Sequence, residues 1–404
     1  MAQWQKNLYA LWAAQFISMI GLSLVVPFMP LYIGTLGVHR LQNVERWSGI
    51  LFAAPFLAQT LVAPLWGVLG DRYGRKIMVV RALTGIGLTN MLTAAAGAVW
   101  QLLGLRMIQG GVSGFVAATN ALVSASIPRD RLGTAMGILQ SSLTAGGIIG
   151  PLIGGALADE IGFRWVFLIT GLMCWAGTAV VLVAAKEPPV ARSAERGPGV
   201  RDNLAYFFAS PVLRTVGLLL CTSNLAVMAV EPIFPVFVQT LGVPAPRVAT
   251  VAGVLFSVTG FASMAGAAMW GRVSDRLGEG RVLVIVLWGA CAAYLAQAAV
   301  RGPVALFILR AALGLAVGGL MPPLYAIVAR RAPSERLGGI MGLTSSAIMI
   351  GNFVGPIAGG LFAAAVGIRP VFLAAGAVLA ISALATRGLA PAIAEPAVGY
   401  GDSD

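Results

Sequence analysis

Charge is what this chain has least of. Only 10% of its 404 residues are Asp, Glu, Lys or Arg, where a soluble domain carries about 25%. A soluble fold cannot clothe its surface with so little, and an intrinsically disordered chain needs the opposite balance of low hydrophobicity and high charge. Cysteine is almost as rare. Cys174, Cys221 and Cys291 all fall in apolar runs, which excludes a disulfide scaffold and leaves them as small buried apolar residues. The single histidine, His39, lies in a polar gap, so no His/Cys metal site is available. Lysine occurs only as Lys6, Lys76 and Lys186. None of these completes the G-x-x-x-x-G-K-[ST] phosphate loop, which excludes ATP hydrolysis by that route. No nucleophile–base pair stands out either, and an enzyme is not expected.

What the chain has is length of apolar sequence. Apolar residues make up 58% and mean hydropathy is +0.87. The runs are long and continuous, unlike the ~10-residue alternation of a membrane β-barrel. They fit helices of about 20 residues that cross a bilayer. Twelve spans are expected, near 8–34, 48–70, 77–98, 101–124, 134–157, 164–185, 212–240, 248–271, 282–300, 303–327, 338–362 and 369–388. The first run is too long for the core of a cleavable signal peptide.

The gaps between spans alternate between a basic set and a charge-poor set. Of 27 Lys and Arg, 19 fall on the basic side, six on the other, and two, Arg106 and Arg310, within spans. The positive-inside rule makes the basic side cytoplasmic, which puts both termini in the cytoplasm. Topology thereby accounts for the net charge of +12, and no nucleic-acid partner is required. The longest polar stretch reads as a cytoplasmic linker over 186–211. It separates an N-terminal six-helix bundle, 1–185, from a C-terminal one, 212–388. A disordered cytoplasmic tail is expected over 389–404.

The two halves repeat at an offset of 204 to 205 residues. Gly67-Val-Leu-Gly-Asp71-Arg72-Tyr-Gly74 returns as Gly271-Arg-Val-Ser-Asp275-Arg276-Leu-Gly278. Arg106 returns as Arg310, Gly150-Pro151 as Gly355-Pro356, Thr35-Leu-Gly-Val38 as Thr240-Leu-Gly-Val243, and Arg164 as Arg369. Each half has an even number of spans, so the two bundles run in the same direction. Such a pair suits rocking about a substrate site near the midplane.

Three features carry chemistry. Glu231, in Val230-Glu231-Pro232, is the one acid of fifteen read as lying well inside an apolar run. A carboxylate at that depth costs about 2.5 kcal/mol or more, and burial favours its neutral form, so it suits proton exchange and the attraction of cations. A permanently paired or helix-capping carboxylate is the alternative. Pro232 and Pro235 are expected to break the helix beside it. Arg106 must face protein or a wet cavity, since a guanidinium keeps its proton; Gln109, one turn on, can share its hydrogen bonds. Gly146, Gly150 and Gly154 recur every fourth residue and allow two helix backbones to approach closely, either as a moving seal or as static packing.

These motifs resemble the major facilitator superfamily over the whole chain except the tail. Gly67 to Lys76 looks like its loop signature between the second and third spans, and Arg106-Met-Ile-Gln109-Gly110 like its fourth-span motif. Gly137, Gly146, Gly150, Pro151 and Gly154 match G-x8-G-x3-G-P-x2-G, the pattern of the 12-span drug–proton antiporter branch. Leu24 to Pro30 and Gly114-Phe-Val look most like bacterial fluoroquinolone-type multidrug exporters. The resemblance implies an all-helical fold of two pseudo-symmetric six-helix bundles in the bacterial inner membrane. It implies export of amphipathic or cationic drugs in exchange for protons, driven by the proton gradient with no bound cofactor. Glu231 and Arg106 would couple the proton. Asp71, Arg72 and Arg75, with Gly67, Gly74 and Asp275 of the second copy, would latch helices in the outward-facing state. Phe28, Tyr32, Gln59, Gln109, Asn120, Gln140, Asn224, Phe234 and Tyr325 are the candidates for lining the cavity. A monomer in contact with membrane lipids is expected, since one chain encloses a complete path. Export of an endogenous metabolite, sugar or lipid is the alternative.

Overall fold

Proline and glycine decide where these helices break. The computed structural model describes residues 3–128, 131–187, 199–333 and 335–394, and helices are the only regular elements among them. Span 1 is Gln3–Leu24 followed by Met29–Thr35, span 2 is Leu41–Tyr73, and span 3 is Arg75–Ala94. Span 4 is Val99–Val112 with Phe115–Ser126, span 5 is Leu132–Ile161, and span 6 is Phe163–Ala184. Span 7 joins Pro211–Val230 to Phe234–Thr240 through a 3-10 turn, Glu231–Ile233. Spans 8 and 9 are Val248–Leu277 and Glu279–Ala298; span 10 is Pro303–Gly318 with Met321–Arg331. Spans 11 and 12 are Leu337–Val366 and Ile368–Ala394.

Spans 1, 4, 7 and 10 are the broken ones, two in each bundle. Pro27 and Pro30 interrupt span 1, Pro232 and Pro235 span 7, and Pro322 and Pro323 span 10, because each lacks the N–H that would continue the helix. Span 4 breaks without proline. Ser113 is extended and Gly114 takes φ +105°, a left-handed conformation that glycine alone adopts freely. Span 4 is interrupted outright into pieces of 14 and 12 residues, and eleven of the twelve expected spans are long and apolar enough to cross a bilayer among the described residues. Seven glycines have positive φ, and six of them form repeat pairs: Gly37 with Gly242, Gly74 with Gly278, and Gly162 with Gly367.

Each bundle has its own apolar core. Repeat-related bonds tie spans together inside each. Trp66 Nε1 of span 2 donates to Gly111 O at 2.6 Å, and Trp270 Nε1 of span 8 donates to Leu315 O at 3.0 Å. Gly146, Gly150 and Gly154 press span 5 onto Met19, Ser23 and Leu24 of span 1, while Gly351, Gly355 and Gly359 press span 11 onto span 7. The glycine ladder therefore closes helices within a bundle. Gly137 stands apart from it and faces open space.

Between bundles the approaches are at Gly155 and Gly253 (spans 5 and 8), Gly260 against Ile148, and Gly49 and Gly360 (spans 2 and 11). All lie between the midplane and the charge-poor end. Side-chain bonds reinforce one seam: Ser257 Oγ donates to Ile148 O at 2.6 Å, and Asp159 Oδ2 accepts from Thr250 N at 2.7 Å and Thr250 Oγ1 at 2.6 Å. Toward the basic end Gly67, Gly133, Gly137, Gly338 and Gly342 meet nothing.

Several expectations shift. The span 186–211 contains a helix, Val200–Ala209, and its residues 188–198 lie outside the described residues. The last helix continues to Ala394, past the expected boundary at 388, while 395–404 lie outside the described residues. Arg106 and Arg310 are not the only arginines inside spans. Arg81 lies six residues into span 3, its guanidinium 3.4 Å from the Trp66 ring centre and its Nη2 donating to Ser113 O at 3.1 Å. Glu231 is likewise not the one embedded acid, because Glu45 of span 2 is 2% exposed.

Candidate functional site: a cavity between the bundles

The broken spans place polar groups where an unbroken apolar helix would place none. A cavity of about 430 Å³ lies between the bundles, walled by spans 1, 2, 4 and 7. Most of its surface is apolar and adaptable: Met19, Met29 and Met228 beside Phe52, Phe56 and Phe115. Methionine and aromatic walls repack around ligands of different shape. Gln59, Arg106, Gln109, Ser113 and Glu231 add a few polar groups.

Arg106 is held by its own helix. Its Nη1 donates to Gln109 Oε1 at 2.6 Å and its Nη2 lies 3.7 Å from Met29 Sδ. Glu231 caps the helix Pro211–Val230 and opens the 3-10 turn, so its carboxyl projects where the helix unwinds. Arg310 is sealed in the C-terminal bundle at 3% exposure, over the ring of Phe234, with Nε and Nη2 lacking hydrogen-bond partners. Glu231 is thus the carboxyl of the cavity and Arg106 its fixed positive charge.

The expected lining residues divide. Gln59 and Gln109 line the cavity. Phe28, Tyr32 and Phe234 do not, being almost fully buried within the bundles. Phe28 stacks on Phe163, Tyr32 donates to Thr93 O at 3.1 Å, and Phe234 lies against Phe256. Asn224 Nδ2 is spent on Leu220 O and packs at Gly351. Asn120 is half-buried and Gln140 and Tyr325 are exposed, all three away from the cavity wall. The methionines were missed in the sequence because nothing in an all-apolar helix separates a cavity face from a core face.

The loop motif at the basic end is a clamp inside the N-terminal bundle. Glu187 accepts from the backbone of Arg75 at 2.8 Å and of Lys76 at 2.6 Å, capping span 3. Lys76 Nζ donates to Leu182 O and Ala185 O, and Arg75 Nη1 to Ala121 O. Gly74 has φ +100°, and a Cβ there would sit 3.2 Å from the Glu187 carboxyl carbon. Arg72 is exposed beside the Tyr73 ring; the side chain of Asp71 lies outside the described residues. Asp275 is exposed in the second copy, where Glu279 pairs with Arg330 instead. Glu187 was not among the expected residues, since it stands far from the loop motif in sequence.

The comparisons agree with this architecture. The model of the Major Facilitator Superfamily matches residues 11–295 and 248–399. Multidrug resistance protein MdtG of Serratia proteamaculans is 33% identical over 384 residues, covering 95% of this chain and 93% of that protein. MdtG of Escherichia fergusonii is 34% identical over 378 residues, covering 93% and 92%. A bacterial homolog of the human lysosomal transporter Spinster, in an inward-facing, unoccupied conformation, superposes with TM-score 0.77 at 18% identity, over 98% of this chain and all of that one. The human organic anion transporter MFSD10 gives 0.69 at 18% identity, over 96% and 100%.

Proposed function

This chain belongs to the Major Facilitator Superfamily, and on that premise we propose that it exports amphipathic and cationic drugs across the bacterial inner membrane in exchange for protons. One observation carries the reading: a cavity of methionine and phenylalanine that holds a single carboxyl, Glu231, and a single guanidinium, Arg106. The naming of MdtG relatives as multidrug resistance proteins supports it. With the basic end in the cytoplasm, the arrangement described is inward-open, its outer seam closed by spans 5 and 8 and by spans 2 and 11.

A drug enters from the cytoplasmic side and rests on the apolar walls. Its positive group competes with the proton for Glu231, so binding releases the proton inward. The bundles then rock, the outer seam opens, and a proton from outside takes Glu231 as the drug leaves. Arg106, kept charged and oriented by Gln109, repels a cation from its own side of the cavity and directs it to Glu231. No bound cofactor is needed, since the proton gradient drives the exchange.

Drug-driven proton release from the purified protein tests this, with cationic and neutral drugs between about pH 5 and about pH 9. Wild type is expected to release protons on adding a cationic drug, and Glu231→Gln to release none. Unchanged release in the variant moves the exchange to another group. Absence of release with every drug overturns the drug–proton reading.

A further inference from the structure

The closed seam at the charge-poor end is built twice. On one side Gly253 of span 8 meets the carbonyl of Pro151 in span 5, and Gly155 meets the carbonyl of Ala249. On the other, Gly49 of span 2 meets the carbonyl of Pro356 in span 11, and Gly360 meets the carbonyl of Glu45. The repeat offset carries Gly49 onto Gly253, Pro151 onto Pro356, Gly155 onto Gly360 and Glu45 onto Ala249. One crossing is therefore made by a fully buried alanine and its twin by a glutamate that is 2% exposed. Packing alone does not ask for the carboxyl.

One oxygen of this carboxyl is buried and uncompensated. That oxygen, Oε1, lacks a hydrogen-bond partner, and no ion pair to Glu45 exists among the described residues. Span 11 carries no ionisable residue between Leu337 and Val366. The other elements packed against span 2 bring Tyr32 from span 1, Arg106 from span 4, Glu231 from span 7, and Arg75, Lys76 and Arg81 from the basic half of span 3. On its own side, Arg46 is exposed, and so are His39 and Arg40 just before the helix. Sealing an ionised carboxylate into such a slot without a partner is costly, whereas the neutral acid is tolerated.

We infer that Glu45 is a gating carboxyl, which takes a proton from the outer solution as the seam closes and returns it to the same solution as the seam opens. The inference rests on the alternating-access reading above. This proton is bound and released on one side, so it leaves the exchange stoichiometry unchanged and makes outer closure easier in acid. The other seam holds its carboxylate differently: Asp159 accepts two bonds from Thr250 through one oxygen.

The test uses the full chain in phospholipid nanodiscs, with Cys174, Cys221 and Cys291 replaced by alanine and spin labels at the exposed positions Gln42 and Ala365. Glu231→Gln is present throughout, which removes the exchanging proton. Pulsed electron paramagnetic resonance then reads the closed and open populations between about pH 5 and about pH 9. Acidification is expected to raise the closed-to-open ratio, by up to about tenfold per pH unit for one linked proton. Glu45→Gln, and Glu45→Ala, which restores the residue of the twin slot, are expected to be closed at every pH. Asp159→Asn is expected to keep the acid response. A response that persists in both Glu45 variants overturns the proposal, as does a seam that opens in acid. A single fixed distance at every pH and with drug overturns the alternating-access reading itself.

Discussion

The guanidinium carbon of Arg310 lies 3.4 Å from the centre of the Phe234 ring. In the other bundle its repeat-mate Arg106 reaches Met29, and Met29 is the counterpart of Phe234 at an offset of 205. Two equivalent arginines on equivalent backbone thus have different fates: Arg106 opens onto the cavity and Arg310 is sealed beneath an aromatic face. Replacing Phe234 by leucine keeps an apolar side chain but removes the negative face of the ring. Phe234→Leu is expected to cost about 2 kcal/mol, the scale of a desolvated cation–π contact. Thermal unfolding followed by intrinsic fluorescence checks this, with Met29→Leu as the nearly neutral comparison.

Glu231 supplies the cavity's only carboxylate, so its charge is expected to distinguish substrates. Glu231→Gln is expected to weaken binding of a monovalent cationic dye roughly tenfold, about 1.4 kcal/mol, and to leave a neutral dye of similar size unchanged. Equilibrium fluorescence titration of both dyes against both proteins measures the difference. Equal losses for the two dyes would assign the effect to cavity shape rather than charge.

The glycines of span 5 are not equivalent. A Cβ at Gly154 would run into the backbone of Leu24, while one at Gly137 would meet nothing within 4 Å. Gly154→Ala is expected to destabilise by about 1–3 kcal/mol, the cost of overpacking a tight crossing. Gly137→Ala is expected to hold or slightly raise the melting temperature, since alanine favours the helix. Scanning calorimetry of the pair separates packing from sequence motif.

Glu187 caps span 3 from the far side of the N-terminal bundle. Glu187→Ala is expected to cost about 0.5–2 kcal/mol, as for loss of other caps, and to expose the backbone at Arg75 and Lys76 to faster amide exchange. Gly74→Ala is expected to do the same by forcing a side chain into a left-handed conformation against that carboxyl. Hydrogen exchange by mass spectrometry reads both at the peptide containing Arg75.

Much of this architecture was legible in the residues because a bilayer leaves few options. A helix must be long and apolar to cross it, so spans, order and repeat stood out, and the prolines beside Glu231 announced the break that turns its carboxyl into the cavity. Two things were hidden. Glu45 lies four residues inside its helix, at the depth where a span blends into its polar gap and a charge reads as loop, and Arg81, six residues inside its own, was counted with the basic gap although it fell within the expected span. Phe28, Tyr32 and Phe234 went to the core rather than the cavity because a helix that is apolar all round offers no contrast between its faces. Packing partners decide that, and they sit on other helices of the same bundle.

The crossings at Pro151 and Pro356 divide spans 5 and 11 unevenly. In span 5, Pro151 stands 19 positions after Leu132 and only 10 before Ile161, arms of roughly 29 Å and 15 Å at 1.5 Å per residue. A line through the two crossings is a fulcrum set off-centre, and any turn about it moves the basic tips about twice as far as the opposite tips. A narrow crack on one face of the membrane therefore corresponds to a wide sweep on the other, and the molecule works as an unequal lever.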